Sequence, residues 1–373
     1  MTALLADAPP LALDLYVNLS VMMFLQFAIW GSWFVVLGLY LERGLKFDAS
    51  WIGWTYSTMA LGTMVTPIFV GAVADKYLAS EHLMAALHLG GAVLLVVMSQ
   101  VRSPKMFFAA ALIYALFYSP TLALSNSITF HHVPDATRDY PGIRVWGTFG
   151  WIVVNLVGLG WIIRKYVPNV VETNKPILLA AVFSVVLGVY SFFLPHTPPA
   201  GTSEGFFPAA QAFGLLNEKS FAVFFGVSFV ITIVLAFYYG FTGNYFKDDI
   251  LPKLPTSLDW PALSTIGQFS EMIILPFLPE FLHWFGMKWV LAIGMAAWGI
   301  RYFAFSLGAR SLFSPWLVVS LLTLHGVCFD FFFAAGFIHV DNSAPKEIQA
   351  SAQGLFVFLT YGLGMFLGNV LSG

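Results

Sequence analysis

Charge is scarce in this sequence. Of 373 residues only 10% are charged, against 59% that are hydrophobic, where a soluble domain carries about 25% and 45–50%. A water-soluble globule of this length could not cover its surface, so the chain reads as a polytopic membrane protein. Basic excess is missing too: 17 Lys and Arg stand against 19 Asp and Glu with no basic tract, which removes the electrostatic basis for binding nucleic acid. The single cysteine, Cys328, lies inside an apolar run, so there is no disulfide framework and the redox compartment stays open. Neither H-E-x-x-H nor G-x-S-x-G occurs, and "HHVPD" at 131–135 matches no metal pattern. No enzyme chemistry, metal or organic cofactor is therefore expected. The N-terminus has no basic n-region and no small-residue cleavage site, so the first apolar run, from Tyr16, is expected to stay as a transmembrane helix.

What the chain does have is long apolar runs. About 20 mainly apolar residues cross the hydrocarbon as a helix. On that ruler spans are predicted near 16–40, 51–74, 83–100, 104–130, 141–163, 177–194, 220–246, 260–283, 287–307, 314–340 and 348–372. The runs are continuous rather than alternating, which excludes a β-barrel. The longest polar interruption, rich in Pro, Gly and Ser, divides them six and five. This predicts an all-α membrane fold with a six-helix bundle over 1–194, a central loop over 195–219, and a second bundle over 220–373. Six plus five is odd for a fold built of two repeats, so a twelfth helix is expected beyond the given sequence. With the N-terminus in the cytoplasm, Lys76, Arg138, Lys219, Lys288 and Lys346 fall in inner loops and ten Lys and Arg in outer ones. Charge alone therefore favours the opposite orientation.

Several ionisable groups lie inside these spans, where each costs roughly 2.5–3.5 kcal/mol and asks for a partner or a cavity. Arg144, Thr148 and Trp151 share one face of the fifth helix at i, i+4 and i+7. A polar stripe below an arginine suits a cavity wall better than snorkelling into headgroups. Gln268 and Glu271, three apart, share a face of the eighth helix, where a carboxylate accepts from two hydroxyls and an amide both donates and accepts. A polar pair joining neighbouring helices is the plainer alternative. His325, Phe329 and Phe332 form a face of the tenth helix beside Asp330: aromatics that stack on a base, or pack, and an imidazole able to donate to a ligand. Gln26, Trp30 and Trp33 repeat at helical spacing on the first helix. Arg301 reads as a structural or snorkelling residue, and His88, beside glycines, as a former of interhelical hydrogen bonds.

Five stretches carry a family resemblance. "GAVADKY" (71–77) looks like a degraded G-x-x-x-D-[RK] loop of the major facilitator superfamily. "FLQFAIWGSW" (24–33), "YSPTLALSNSI" (118–128), "PGIRVWGTFG" (141–150) followed by "LPHTP" (194–198), and "FDFFFAAGFIHVD" (329–341) together resemble the bacterial nucleoside:proton symporters. The resemblance runs from about residue 16 to the end. It implies the major facilitator superfamily fold in the bacterial inner membrane, both termini and the central loop cytoplasmic, and proton-coupled uptake of a nucleoside by a monomer in the lipid bilayer. The proton is then the coupling ion, and no further cofactor is implied. It also implies a substrate site of Arg144, Thr148, Trp151, Gln268, Glu271, His325 and Phe329, with Gln26, Trp30 and Tyr239 as candidates for the cavity wall. Asp330 would take the proton and face Arg144, its switchable partner. His325 stands where the family has a tyrosine, and Phe237 and Gly240 stand where it has two polar contacts. Tyr238, Tyr239 and Asn244 are the candidates to compensate. Otherwise the pocket suits a less polar ligand. The alternatives are a transporter of the same fold for another small polar or amphipathic solute, such as a modified nucleoside or a sugar, and a membrane binding protein that does not transport.

Overall fold

Helix boundaries follow the turn-formers. Pro104 and Pro315 open helices at their first turn, where a missing N–H costs nothing. Asp135 caps another, its Oδ1 accepting from the backbone N–H of Thr137 at 2.8 Å and of Arg138 at 3.1 Å, which gives the acid of "HHVPD" a structural task. The computed structural model describes residues 9–76, 78–167, 169–199, 212–254 and 260–372. Among these are eleven helical spans: α1 (Leu13–Gly44), α2 (Ala49–Lys76), α3 (Ser80–Gln100), α4 (Pro104–His132), α5 (Ala136–Tyr166), α6 (Lys175–Phe193), α7 (Lys219–Tyr245), α8 (260–285), α9 (287–309), α10 (Pro315–Ser343) and α11 (Ser351–Asn369). Between α8 and α9 the only break is Gly286, at φ 74° and ψ 161°, a conformation that suits glycine. Of the predicted central loop, 200–211 lie outside the described residues. So do Tyr77 of the 71–77 motif and the side chains of Gly240 and Asn244.

The spans form two bundles with matching internal packing. In the first, α1 packs on α5 and α6, α2 on α4, and α3 on α4 and α6. In the second, α7 packs on α11, and α8 and α9 on α10. A shift of six helices converts α1–α5 into α7–α11 and α2–α4 into α8–α10. Between the bundles α2 meets α11 and α5 meets α8, pairs that the same shift exchanges. Contact between the bundles is concentrated at the end where α5 begins and α8 and α10 finish, and there Asn342 Nδ2 donates to Thr137 Oγ1 at 3.2 Å.

Two close crossings involve the helices that carry the candidate site residues. A methyl added at Gly147 would come within 2.6 Å of the Phe27 ring, and one at Gly150 would collide with the Phe24 carbonyl, so α1 and α5 touch backbone to backbone. At the α8–α10 crossing Gly267 faces His325, and Gly326 faces the Ser270 backbone. In the same place the Ser270 hydroxyl donates to the Thr323 carbonyl.

Candidate substrate and proton site

A polar chain crosses the interface between the bundles. From α5, the Thr148 hydroxyl donates to Glu271 Oε2 on α8 at 3.1 Å. The other carboxylate oxygen, Oε1, lies 3.0 Å from His325 Nε2 on α10, close but poorly aligned for a hydrogen bond. Arg301 Nη1 on α9 reaches His325 Nδ1 at 2.9 Å. Glu271, His325 and Arg301 are all buried, Arg301 at 1% exposure, which is incompatible with snorkelling. Its guanidinium instead lies 4.1 Å above the Tyr238 ring, a cation–π contact in place of water.

Asp330, 2% exposed, stands one turn beyond His325, and its Oδ2 has no hydrogen-bond partner. It opens a widened turn, Asp330–Ala334, in which the Ala335 N–H donates to the Asp330 carbonyl five residues back. The expected fork from Arg144 onto Asp330 is not made. Among the described residues the ion pairs are Arg43–Glu172, Arg138–Asp139, His196–Glu81 and His325–Glu271. Arg144 turns along its own helix instead. Its Nη1 is 3.5 Å from Thr148 Oγ1, and its guanidinium covers Phe27 at 3.9 Å, a contact that Gly147 makes room for.

With this geometry in hand, likeness to known proteins can be stated. A model of the nucleoside H+ symporter family matches residues 13–373. The chain belongs to that family. It is 39% identical to YegT of Escherichia coli, a protein named for nucleoside transport, over 95% of this chain and 83% of that one. It is 32% identical to the nucleoside permease NupG of Escherichia coli, over 97% of this chain and 88% of NupG. The crystal structure of NupG superposes with a TM-score of 0.71 at 31% identity, covering 96% of this chain and 90% of that one. A proton:xylose symporter of the major facilitator superfamily matches in fold, with a TM-score of 0.67 at 12% identity over 95% and 88% of the two chains. The fold is therefore that of the major facilitator superfamily. The nucleoside H+ symporters are multi-pass membrane transporters, not enzymes.

Within this symporter-family site, the other sequence candidates separate. Gln268 is half-buried and makes no side-chain hydrogen bond among the described residues. Phe329 is half-buried beside His325, ring centroids 5.7 Å apart. Tyr239 is 51% exposed, within electrostatic reach of Glu271, Tyr361 and Arg301. Trp151 meets Trp30 edge-on at 5.7 Å, and the Trp30 Nε1 is buried without a partner. One expectation fails. Gln26 is not on a cavity wall: it is fully buried, its Nε2 donating to Thr121 Oγ1 at 2.7 Å and its Oε1 2.9 Å from His88 Nε2. Of the His325 nitrogens, Nδ1 is taken by Arg301, while Nε2 faces Glu271 Oε1 at 3.0 Å without an aligned hydrogen bond. Sequence reasoning missed Phe27 and Tyr361, and it read Arg301 as structural or snorkelling. For Arg301 a signal existed: Trp298 and Phe305 flank it at i−3 and i+4, a large buried face of α9.

Proposed function

We propose that this chain carries nucleosides together with protons across the bacterial cytoplasmic membrane, as a monomer that rocks its two bundles about the Glu271 site. The reading rests on one observation: a ligand-sized carboxylate, Glu271, is hydrogen-bonded across the bundle interface to Thr148, beside a second buried carboxylate, Asp330, whose Oδ2 is unpaired. A ribose hydroxyl that donates to Glu271 competes with Thr148 and so acts directly on the bond between the bundles. Phe329, Tyr239 and Tyr361 supply ring faces for a base, and Gln268 a polar edge. Ionised and without a cation, Asp330 would carry a desolvation cost of several kcal/mol, so this arrangement suits the protonated acid. Release of that proton then calls for Arg144, which must leave Phe27 and Thr148 to reach it. With the N-terminus in the cytoplasm, the packed end of the interface is the inner one, and the conformation is open outward. One proton moving down 100 mV contributes ~2.3 kcal/mol, enough for ~50-fold accumulation.

Counterflow of labelled uridine in proteoliposomes tests the reading. Uridine-loaded vesicles should accumulate label transiently; binding without counterflow would make the chain a binding protein. Phe237, 37% exposed on α7, favours a second reading, a less polar solute in the same site. Counterflow with a hydrophobically modified nucleoside but not with uridine would select it.

A further inference from the structure

His325 is held on every side. Tyr238 stacks on its ring at 5.2 Å and 25°, and Trp298 meets it edge-on at 6.1 Å and 90°. Within the ring plane Arg301 bonds Nδ1, and Nε2 points at Glu271 Oε1 without an aligned hydrogen bond. A guanidinium can only donate, so Nδ1 must accept. The ring is then the neutral tautomer whose single proton sits on Nε2, 3.0 Å from Glu271 Oε1. An imidazolium would set an N–H against an N–H, so His325 carries no coupling proton in this arrangement.

From this we propose that Arg301 is a positioning residue for substrate recognition. It fixes the tautomer of His325, and His325 orients the Glu271 carboxylate toward the sugar. The proposal rests on the reading of Glu271 as the acceptor of ribose hydroxyls. Arg301 itself, 1% exposed and beneath Tyr238, does not touch the ligand. A carboxylate side chain left free would have to be ordered at each binding event, whereas one aligned by the imidazole is preorganised and avoids that loss. The buried cation also balances the carboxylate through the ring, so the acceptor does not depend on Arg144 in the other bundle.

The test measures binding of uridine and of 2′,3′-dideoxyuridine to the full chain in nanodiscs. Arg301→Gln should weaken uridine about tenfold and leave the dideoxy compound within about twofold, with Arg301→Lys between them. In a His325→Gln background, where an amide can donate to Glu271 without a tautomer to set, adding Arg301→Gln should cost uridine less than about twofold. Equal losses for both ligands, or additive losses in the double variant, would overturn the proposal. Glu271→Gln is measured alongside. If it fails to separate the two ligands, the sugar reading falls and the proposal with it; if it separates them and Arg301→Gln does not, only the role of Arg301 falls. Should the arginine variants fail to fold, 15N spectra of histidine-labelled unaltered protein decide, with the His325 signal assigned by its loss in His325→Gln. A bare Nδ1 and protonated Nε2 are expected, and a protonated Nδ1 would overturn the proposal.

Discussion

Both bundles bury a histidine and an amide or acid beside it, yet the two networks end differently. In the first bundle Gln26 joins Thr121 and His88, and the Ser184 hydroxyl donates to the His88 carbonyl at 2.9 Å; the members are neutral and their bonds close within the bundle. In the second bundle Arg301, His325 and Glu271 are strung in a line that leaves through Thr148 into the other bundle. Its loose ends are ionisable groups: Arg301 Nε and Nη2, His325 Nε2, and nearby Asp330 Oδ2 have no hydrogen-bond partner. The loose ends near Gln26, such as the Trp30 and Trp33 indoles, are neutral. A closed neutral network glues helices; an open ionisable one leaves donors and acceptors unmatched. Completion of the bonds, more than residue type, separates structure from work.

The comparison can be broken most severely at Asp330. Asp330→Asn should abolish proton-driven accumulation, a loss of up to ~50-fold, while counterflow exchange persists. Accumulation like that of the parent would show that the coupling carboxylate lies elsewhere. Next, Glu271→Gln should weaken ribonucleosides by at least about tenfold and free nucleobases little; equal loss in competition assays would make Glu271 structural, like Gln26. Arg144→Lys keeps the charge but loses the planar face on Phe27 and the fork that Asp330 would receive. Uptake per inserted protein should fall about tenfold, and near-normal uptake would return Arg144 to the headgroups. The smallest effect on transport belongs to Gln26→Leu. It should lower stability by roughly 1–3 kcal/mol by orphaning His88 and Thr121, read as an earlier thermal transition, with uridine affinity unchanged. A shift in affinity would erase the contrast between the networks.

Much of this was legible in the chain. Apolar run length gave the spans, because a bilayer imposes a length on a helix, and the i, i+4, i+7 spacing gave the Arg144–Thr148 face. Rotation of a helix about its own axis was less legible. Gln26 and Gln268 each sit on an apolar helix, and only packing turns the first into the bundle and leaves the second half-buried. Arg301 was underestimated for the same reason: the expected fold places α9 at the periphery, but its Trp298–Arg301–Phe305 face is buried. Nor can spacing report distance across a cavity, which is why the Arg144–Asp330 pair was expected where the side chains stand apart.

The widened turn at Asp330–Ala334 has a consequence for how this gene can change length. Such a turn holds one residue more than a regular one, so the surplus is stored at a single place in α10. Removing one residue there would restore a regular helix and leave His325 on one side and Phe337 on the other with their present bearings. The same deletion in the middle of α3, where the turns are regular, would swing everything beyond it by about 100°. Relatives one residue shorter in this stretch would keep the same site, and an alignment that puts its gap anywhere else in α10 would misassign the face that holds His325.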